Sequence, residues 1–306
     1  MSKAADLYPS RQQEEPQIIK RQDPTLYNRN FSNAPLSEAQ LKQYERDGYI
    51  LLPEVFSKAE VKRFLAEMGQ MEKDPELLAS DAAITEPSGN ALRSVFQIHH
   101  NNDLYARVAA DPRVADIARF ILDGQVYIHQ SRLNFKPGFS GKEFYWHSDF
   151  ETWHTEDGMP RMRALSASIL LTDNTEFNGS LMVMPGSHRE YIACVGETPE
   201  DYYRESLKAQ TVGTPDAGSL QQFQQRFGLS STAAKAGSVL LFDCNLMHGS
   251  NSNITASPRS NLFFVYNAIS NQVVEPFSGG KPRPEFLASR ETITPLQSPA
   301  PQRKAG

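Results

Sequence analysis

The sequence predicts an α+β fold that is mainly β, with N-terminal helices buttressing a β-sandwich or barrel. Two patterns and their order carry the prediction. Through the first third of the chain, apolar residues recur at helical spacing between capping signals. From about residue 125, short segments rich in β-formers follow one another, separated by Gly, Pro, Asn or Asp. A block of helices followed by a run of strands is the order of an α+β domain, whereas regular alternation would signal a parallel sheet. A chain of 306 residues buries about three quarters of its unfolded surface and needs no covalent staples.

Residues 1–35 are polar and carry Pro9, Pro16, Pro24 and Pro35, so a loosely ordered arm draped over the domain, or equally a disordered tail, is expected there. Ser37 opens the first helix. Gln40 completes a capping box with it, each side chain satisfying an orphan backbone N–H. Gly48 ends that helix, because a left-handed C-cap costs glycine nothing. The strand Tyr49-Ile50-Leu51-Leu52 follows, and Pro53 stops it. Ser57 and Glu60 form a second capping box ahead of a core stripe of Val61, Phe64, Leu65, Met68 and Met71. Residues 73–93 read as a loop. A third helical region covers roughly 102–122, with Pro112 at a first-turn position where its missing N–H is not needed. The β segments are 126–135, 164–171, 180–184, 238–242 and 261–268, with helices expected only at 200–210 and 217–227. A single domain is expected over 36–290, with a frayed Pro-rich tail over 291–306. The polar insert 190–235 reads equally well as a lid or a static loop.

Composition narrows the function class. The net charge is −5, from 31 basic and 36 acidic residues, poor material for binding nucleic acid. The apolar runs are too short to cross a bilayer, and MSKAADLYPSRQQEEPQ lacks the apolar core of a secretory signal. Cys194 and Cys244 cannot make a disulfide framework or a four-thiolate zinc site. A cytoplasmic, reducing compartment is therefore expected.

The chemistry concentrates in Phe144-Tyr145-Trp146-His147-Ser148-Asp149. On a strand, His147 and Asp149 would share one face and offer two cis positions to a metal. Alone, the pair fits a surface histidine beside an acid equally well. His248, where an apolar strand runs out into a Gly/Ser/Asn turn, is the best third ligand. Two histidines and a carboxylate on one octahedral face leave three positions open. That suits non-haem Fe(II) holding a co-substrate and O2 together, whereas zinc favours four-coordination. Arg259 then begins the apolar strand Asn261–Tyr266. Its guanidinium can grip a carboxylate in two-point fashion, or can simply be solvated after a loop. The triad and Arg259 together fit a 2-oxo acid, with the keto-acid end on iron and the far carboxylate on Arg259.

The order His147-x-Asp149…His248…Arg259 resembles the Fe(II)/2-oxoglutarate-dependent dioxygenases of the phytanoyl-CoA hydroxylase superfamily. "GYILLPEVFS" (48–57) and "NGSLMVMPGSH" (178–188) resemble that superfamily's opening and inter-ligand segments. "FYWHSDFETWHTEDGMPRMRALSASILLTDN" (144–174) is similar to its ectoine-hydroxylating branch. The resemblance spans roughly 35–285. It implies a double-stranded β-helix (jelly-roll, cupin-like) core, one Fe(II), 2-oxoglutarate and O2 as co-substrates, and a homodimer. The implied reaction converts ectoine to 5-hydroxyectoine with release of succinate and CO2. It also implies that Lys136 shares 2-oxoglutarate with Arg259, and that Gln130, Trp153, Phe263 and Arg283 contact ectoine. Asp149 weighs against a halogenase, in which a small residue replaces the carboxylate.

Plainer readings stand beside these. Gln130 can satisfy backbone, Lys136 can be a solvated strand end, and Trp153 and Phe263 can be core aromatics. His154, seven residues beyond His147, has no ligand spacing. His99 and His100 would face opposite ways on a strand, His188 serves a turn, and Cys244 is a buried thiol. Rival functions are the same chemistry on another osmolyte or amino acid, a zinc hydrolase in the same triad, or a non-catalytic metal-dependent jelly-roll binding protein.

Overall fold

The computed structural model describes residues 6–86, 91–207 and 211–297. After a short strand β1 (Gln17–Lys20), helix α1 (Glu38–Asp47) begins in the Ser37/Gln40 capping box and ends at Gly48. Gly48 is left-handed, with a φ of 78°, and a Cβ there would lie 2.4 Å from the His188 ring. Strand β2 (Tyr49–Leu52) follows, and α2 (Lys58–Met71) starts in the Ser57/Glu60 capping box. Residues 73–93, expected as a loop, hold α3 (Pro75–Leu78), β3 (Ala83–Thr85) and the start of β4 (Leu92–Phe96). These strands are too short to show a period of their own; pairing between β3 and β4, and between β4 and residues 132–134, forms them. His99 and His100 lie on α4 (Ile98–Asn101), not on a strand, with ring centroids 4.1 Å apart. The helical stretch expected over 102–122 is broken into α5 (Asp103–Ala109) and α6 (Pro112–Ile121), where Asp111 caps a new helix led by Pro112.

The remaining elements are β5 (Val126–Lys136), β6 (Phe144–His147), α7 (Asp149–Asp157), β7 (Ala164–Leu170), β8 (Leu181–Val183) and β9 (Glu190–Ala193). They continue with α8 (Tyr203–Ser206), α9 (Ala217–Phe227), β10 (Ser230–Ser231), β11 (Val239–Asp243), β12 (His248–Ser250) and β13 (Arg259–Ala268). The larger sheet has the order β2-β11-β7-β13-β5-β4-β3 and the smaller β10-β8-β12-β6, all neighbours antiparallel. Successive strands β5, β6, β7 and β8, then β11, β12 and β13, alternate between the two sheets. That alternation is the winding of a jelly roll, here with open edges.

Strand periodicity places the core. On β11, Val239 and Leu241 face the main core, while Leu240 and Phe242 face the smaller sheet's Leu181 and Val183. On β13, Leu262, Phe264 and Tyr266 face the main core and Phe263 the other side. Helix α6 closes the main core with Val114, Ala115, Ile117, Ala118 and Ile121. The larger sheet therefore lies between the helices and the smaller sheet.

Residues 6–35 are docked, not loose. β1 pairs with β9, and Tyr8 and Leu26 are fully buried. Arg11 reaches Glu151 and Glu156 on α7, and Arg21 reaches Asp243 at 2.7 Å. The arm's cations neutralise acids that the body buries. At the other end, the Leu296 amide donates to the Val126 carbonyl at 2.7 Å, so 291–297 is tied down too. The rest of that tail, 298–306, lies outside the described residues.

Candidate active site

Strands β6 and β12 lie side by side, with His147 directly opposite His248. β6 ends at His147, Ser148 sits at the N-cap, and Asp149 is the first residue of α7. The expectation of one strand carrying both His147 and Asp149 is thus corrected: the chain passes from strand to helix between them. His248 likewise opens β12 after the turn 244–247 that carries the chain across to the smaller sheet. Asp149 Oδ1 lies 3.7 Å from His147 Nε2 and 3.9 Å from His248 Nε2, and the three ligand atoms fall within 4.8 Å of one another. Each imidazole is fixed through Nδ1, at 2.6 Å from the Tyr145 carbonyl and 2.9 Å from the Leu246 carbonyl. Nε2 is thereby aimed at Asp149. Ser166 Oγ donates to Asp149 Oδ2 at 3.2 Å. Burial, reinforced by His248, lowers the His147 pKa to about 4 and keeps the ring neutral, as a metal ligand must be. Two imidazoles and a carboxylate that converge within 4.8 Å are a donor set that fits a divalent cation.

One face of the larger sheet is the floor of the site. Gln130, Arg132, Asn134 and Lys136 alternate along β5, and Arg259, Asn261 and Phe263 alternate along β13. The register pairs Lys136 directly with Arg259. Arg259 is buried, and its Nε has no hydrogen-bond partner among the described residues. Lys136 Nζ donates to Ser250 Oγ at 2.8 Å and to the Asn251 carbonyl at 2.5 Å. Burial, then repulsion by Arg259 and Arg93, lowers the Lys136 pKa to about 6; burial, then Arg132 and Arg93, lowers that of Arg259 to about 10. Crowded buried cations with an orphaned N–H are an environment that a carboxylate would relieve.

A cavity of about 530 Å³ opens onto this floor, lined in part by Gln130, Arg132, His147, Asp149, Trp153 and Arg283. His248, Lys136, Arg259 and Phe263 are buried and are not among the residues that line it. Gln130 Nε2 donates to the Leu287 carbonyl at 2.7 Å, so the C-terminal segment folds over the floor. Arg283, from that segment, donates from Nε and Nη2 to Asp157 at 2.7 and 2.6 Å. Trp153 packs edge-on against His129 at 5.6 Å. Sequence reasoning missed Arg132, whose guanidinium lies 4.9 Å over the Phe263 ring, and Arg93, which lines the cavity while bound to Glu86 at 3.0 Å. The polar alternation 130-132-134-136 in an otherwise apolar strand was the signal for Arg132. Arg93 had none, since its strand forms only by long-range pairing.

The phytanoyl-CoA dioxygenase family profile matches residues 44–261. The chain belongs to the phytanoyl-CoA dioxygenase family. An ectoine dioxygenase of Stutzerimonas stutzeri is 58% identical over 292 residues, covering 95% of this chain and 97% of that relative. The ectoine dioxygenase of Streptomyces coelicolor is 44% identical, covering 95% and 97%. Among solved structures, EctD from S. alaskensis with 2-oxoglutarate and 5-hydroxyectoine superposes with a TM-score of 0.87 at 51% identity, covering 95% of this chain and 97% of that one. The same protein is known with bound Fe, at a TM-score of 0.86 and 50% identity.

In this dioxygenase the histidines outside the triad have structural partners. His154 is stacked between Phe150 and Phe277 and bonds Asp6 and the Met159 carbonyl. His188 Nε2 faces the Glu45 carbonyl at 3.2 Å, on the turn expected of it. Cys194 and Cys244 are free and buried. Ser206 and Leu207, at α8 of the 190–235 insert, reach the cavity wall, while 208–210 lie outside the described residues.

Proposed function

We infer that this chain is an Fe(II)/2-oxoglutarate-dependent dioxygenase that hydroxylates ectoine to 5-hydroxyectoine, releasing succinate and CO2. The observation that carries it is a two-His, one-carboxylate cluster, two of its members on the cavity wall, together with a buried Lys–Arg pair on the adjacent strands β5 and β13. In this reading His147, Asp149 and His248 hold the iron. Lys136 and Arg259 hold the far carboxylate of 2-oxoglutarate. Gln130, Trp153, Phe263 and Arg283 hold ectoine, its cationic ring gaining attraction from the aromatic faces. Bound iron supplies the redox chemistry by which O2 is split between 2-oxoglutarate and substrate. The protein orients the two organic molecules and keeps water out. No helix among the described residues is long and apolar enough to cross a membrane. Cytoplasmic location and the absence of a nucleic-acid partner belong to the same proposal, supported by the acidic chain and its two free thiols; a homodimeric state is proposed from the family resemblance alone.

The test is to incubate the protein anaerobically with Fe(II), 2-oxoglutarate and ectoine, admit O2, and follow succinate and the mass of ectoine together. Stoichiometric succinate with one added oxygen on ectoine is expected. Succinate with unmodified ectoine would discard the substrate. Neither product, with iron bound, would sink the catalytic reading. Light scattering of the purified chain tests the dimer.

A further inference from the structure

Helix α7 presents a second stripe to the cavity, beyond its metal ligand. Asp149, Thr152, Trp153 and Glu156 stand at i, i+3, i+4 and i+7, and all four line it. At 1.5 Å per residue, Glu156 lies about 10 Å along the helix from Asp149, with Trp153 between. Glu156 belongs to a buried charge cluster. Arg11 donates from Nε and Nη2 to Glu151 at 2.9 and 2.7 Å, and from Nη1 to Glu156 at 2.8 Å. One guanidinium thus faces two carboxylates, leaving a formal charge of −1 on the cavity wall. The neighbouring Arg283 is paired with Asp157 and also feels Glu156, so three carboxylates, Glu151, Glu156 and Asp157, share two guanidinium groups. The cavity wall therefore carries both a cation, Arg132, and a carboxylate, Glu156, that shares its guanidinium partner with a second acid.

We propose that Glu156 is a specificity-determining residue that pairs with the amidinium of the substrate ring, so that the site selects a cyclic cation over a neutral ring of the same shape. This rests on the ectoine reading above. In ectoine, ring position 5 lies across from position 2, the amidinium carbon. Turning position 5 toward the metal ligands points the amidinium away from them, toward the far end of the α7 stripe. An N–H of the amidinium then meets the Glu156 carboxylate in a charge-assisted hydrogen bond. Arg11 holds that carboxylate in place, and it comes from the N-terminal arm, outside the 44–261 family match.

The experiment measures anaerobic binding to the protein loaded with Fe(II) and 2-oxoglutarate. Two ligands are compared: ectoine, and a ring analogue in which a neutral amide replaces the amidinium. Glu156→Gln leaves Arg11 and Glu151 as a balanced pair, so the fold is expected to survive. Ectoine affinity should fall at least about tenfold, the size of one charge-assisted hydrogen bond. The neutral analogue should change less than about twofold, and Fe(II) and 2-oxoglutarate affinity should hold. KM for ectoine should rise with kcat largely retained. Equal losses for both ligands, or no loss, would overturn the proposal. Should Glu156→Gln fail to fold, Glu156→Asp must keep the preference for the cationic ring and the wild type must show it; a wild type that binds both rings equally overturns the proposal outright. A wild type that neither binds nor oxidises ectoine overturns the ectoine reading itself, a result distinct from a working enzyme indifferent to Glu156.

Discussion

Arg11→Ala is expected to destabilise the protein by several kcal/mol, although residue 11 lies in an arm that composition alone marks as loose. The guanidinium and its two carboxylates have side chains only 1%, 2% and 5% exposed. Removing one member of a buried ion pair costs about 3–5 kcal/mol, because the charge left behind stays desolvated. Here two carboxylates are left, and Thr198 Oγ1 loses its donor as well. Taking about 4 kcal/mol, with an unfolding entropy of about 2.1 cal/mol/K per residue, Tm should fall by about 6 °C. Arg226→Ala is the control. It breaks an ion pair with Glu190 in which the arginine is 43% exposed, a contact worth about 0–1 kcal/mol, and should shift Tm by less than about 2 °C. Thermal unfolding of both variants by circular dichroism checks the pair. Equal shifts would refute the claim that the arm is an integral part of the fold.

Three more outcomes are expected. Burial and the neighbouring guanidinium groups keep Lys136 neutral above pH about 6, while the unfolded chain keeps it protonated to its ordinary, higher value; stability from this group therefore rises with pH between the two. A bound dianion returns the proton, so 2-oxoglutarate binding at pH 8 should take up about one proton per site and weaken as pH rises above about 6. Calorimetry in buffers of different ionisation heat reads the uptake, which Lys136→Met should abolish. His248→Ala should lose Fe(II) binding and turnover together, whereas Gln130→Ala and Trp153→Ala should load iron normally and lose ectoine turnover; metal analysis beside a succinate assay separates the two. Gly158 C-caps α7 at φ +80°, with a Cβ position 2.1 Å from the Val274 carbonyl, so Gly158→Ala should cost at least about 2 kcal/mol, seen as a Tm loss of roughly 3 °C.

What sequence can reveal follows the range of the interaction. Both capping boxes, Pro112 and the long strands β5, β7 and β13 rest on local spacing, and all are visible in the chain. β1, β9 and β12 are strands of three or four residues that form only against a distant partner, and no local pattern marks them. The metal triad was legible as a set of residue types but not as a geometry: an i, i+2 pair suggests one strand, while Asp149 in fact starts a helix. The arm's docking was only partly legible, because its prolines and polar residues resemble a tail, whereas Arg11 and Arg21 find acids that lie far along the chain.

The site stands where two periodicities cross. The floor obeys the period of two of strands β5 and β13 and gathers cations, Arg132, Lys136 and Arg259. The wall obeys the period of 3.6 of α7 and carries Asp149, Thr152, Trp153 and Glu156. The triad joins them, since His147 ends a strand and Asp149 begins the helix. A change at Lys136 or Arg259 on the floor alters how a carboxylate is held without moving α7. A change beyond Asp149 on the wall alters the second ligand without touching the cation pair. Divergence in substrate should therefore accumulate at Trp153 and Glu156 while Lys136 and Arg259 stay fixed. Substitutions on the two elements should add in their binding effects, as independent sites do. Combining Arg259→Lys with Glu156→Gln tests this directly: 2-oxoglutarate and ectoine affinities should each shift as in the single variants, and strong coupling would mean that the floor and the wall move as one.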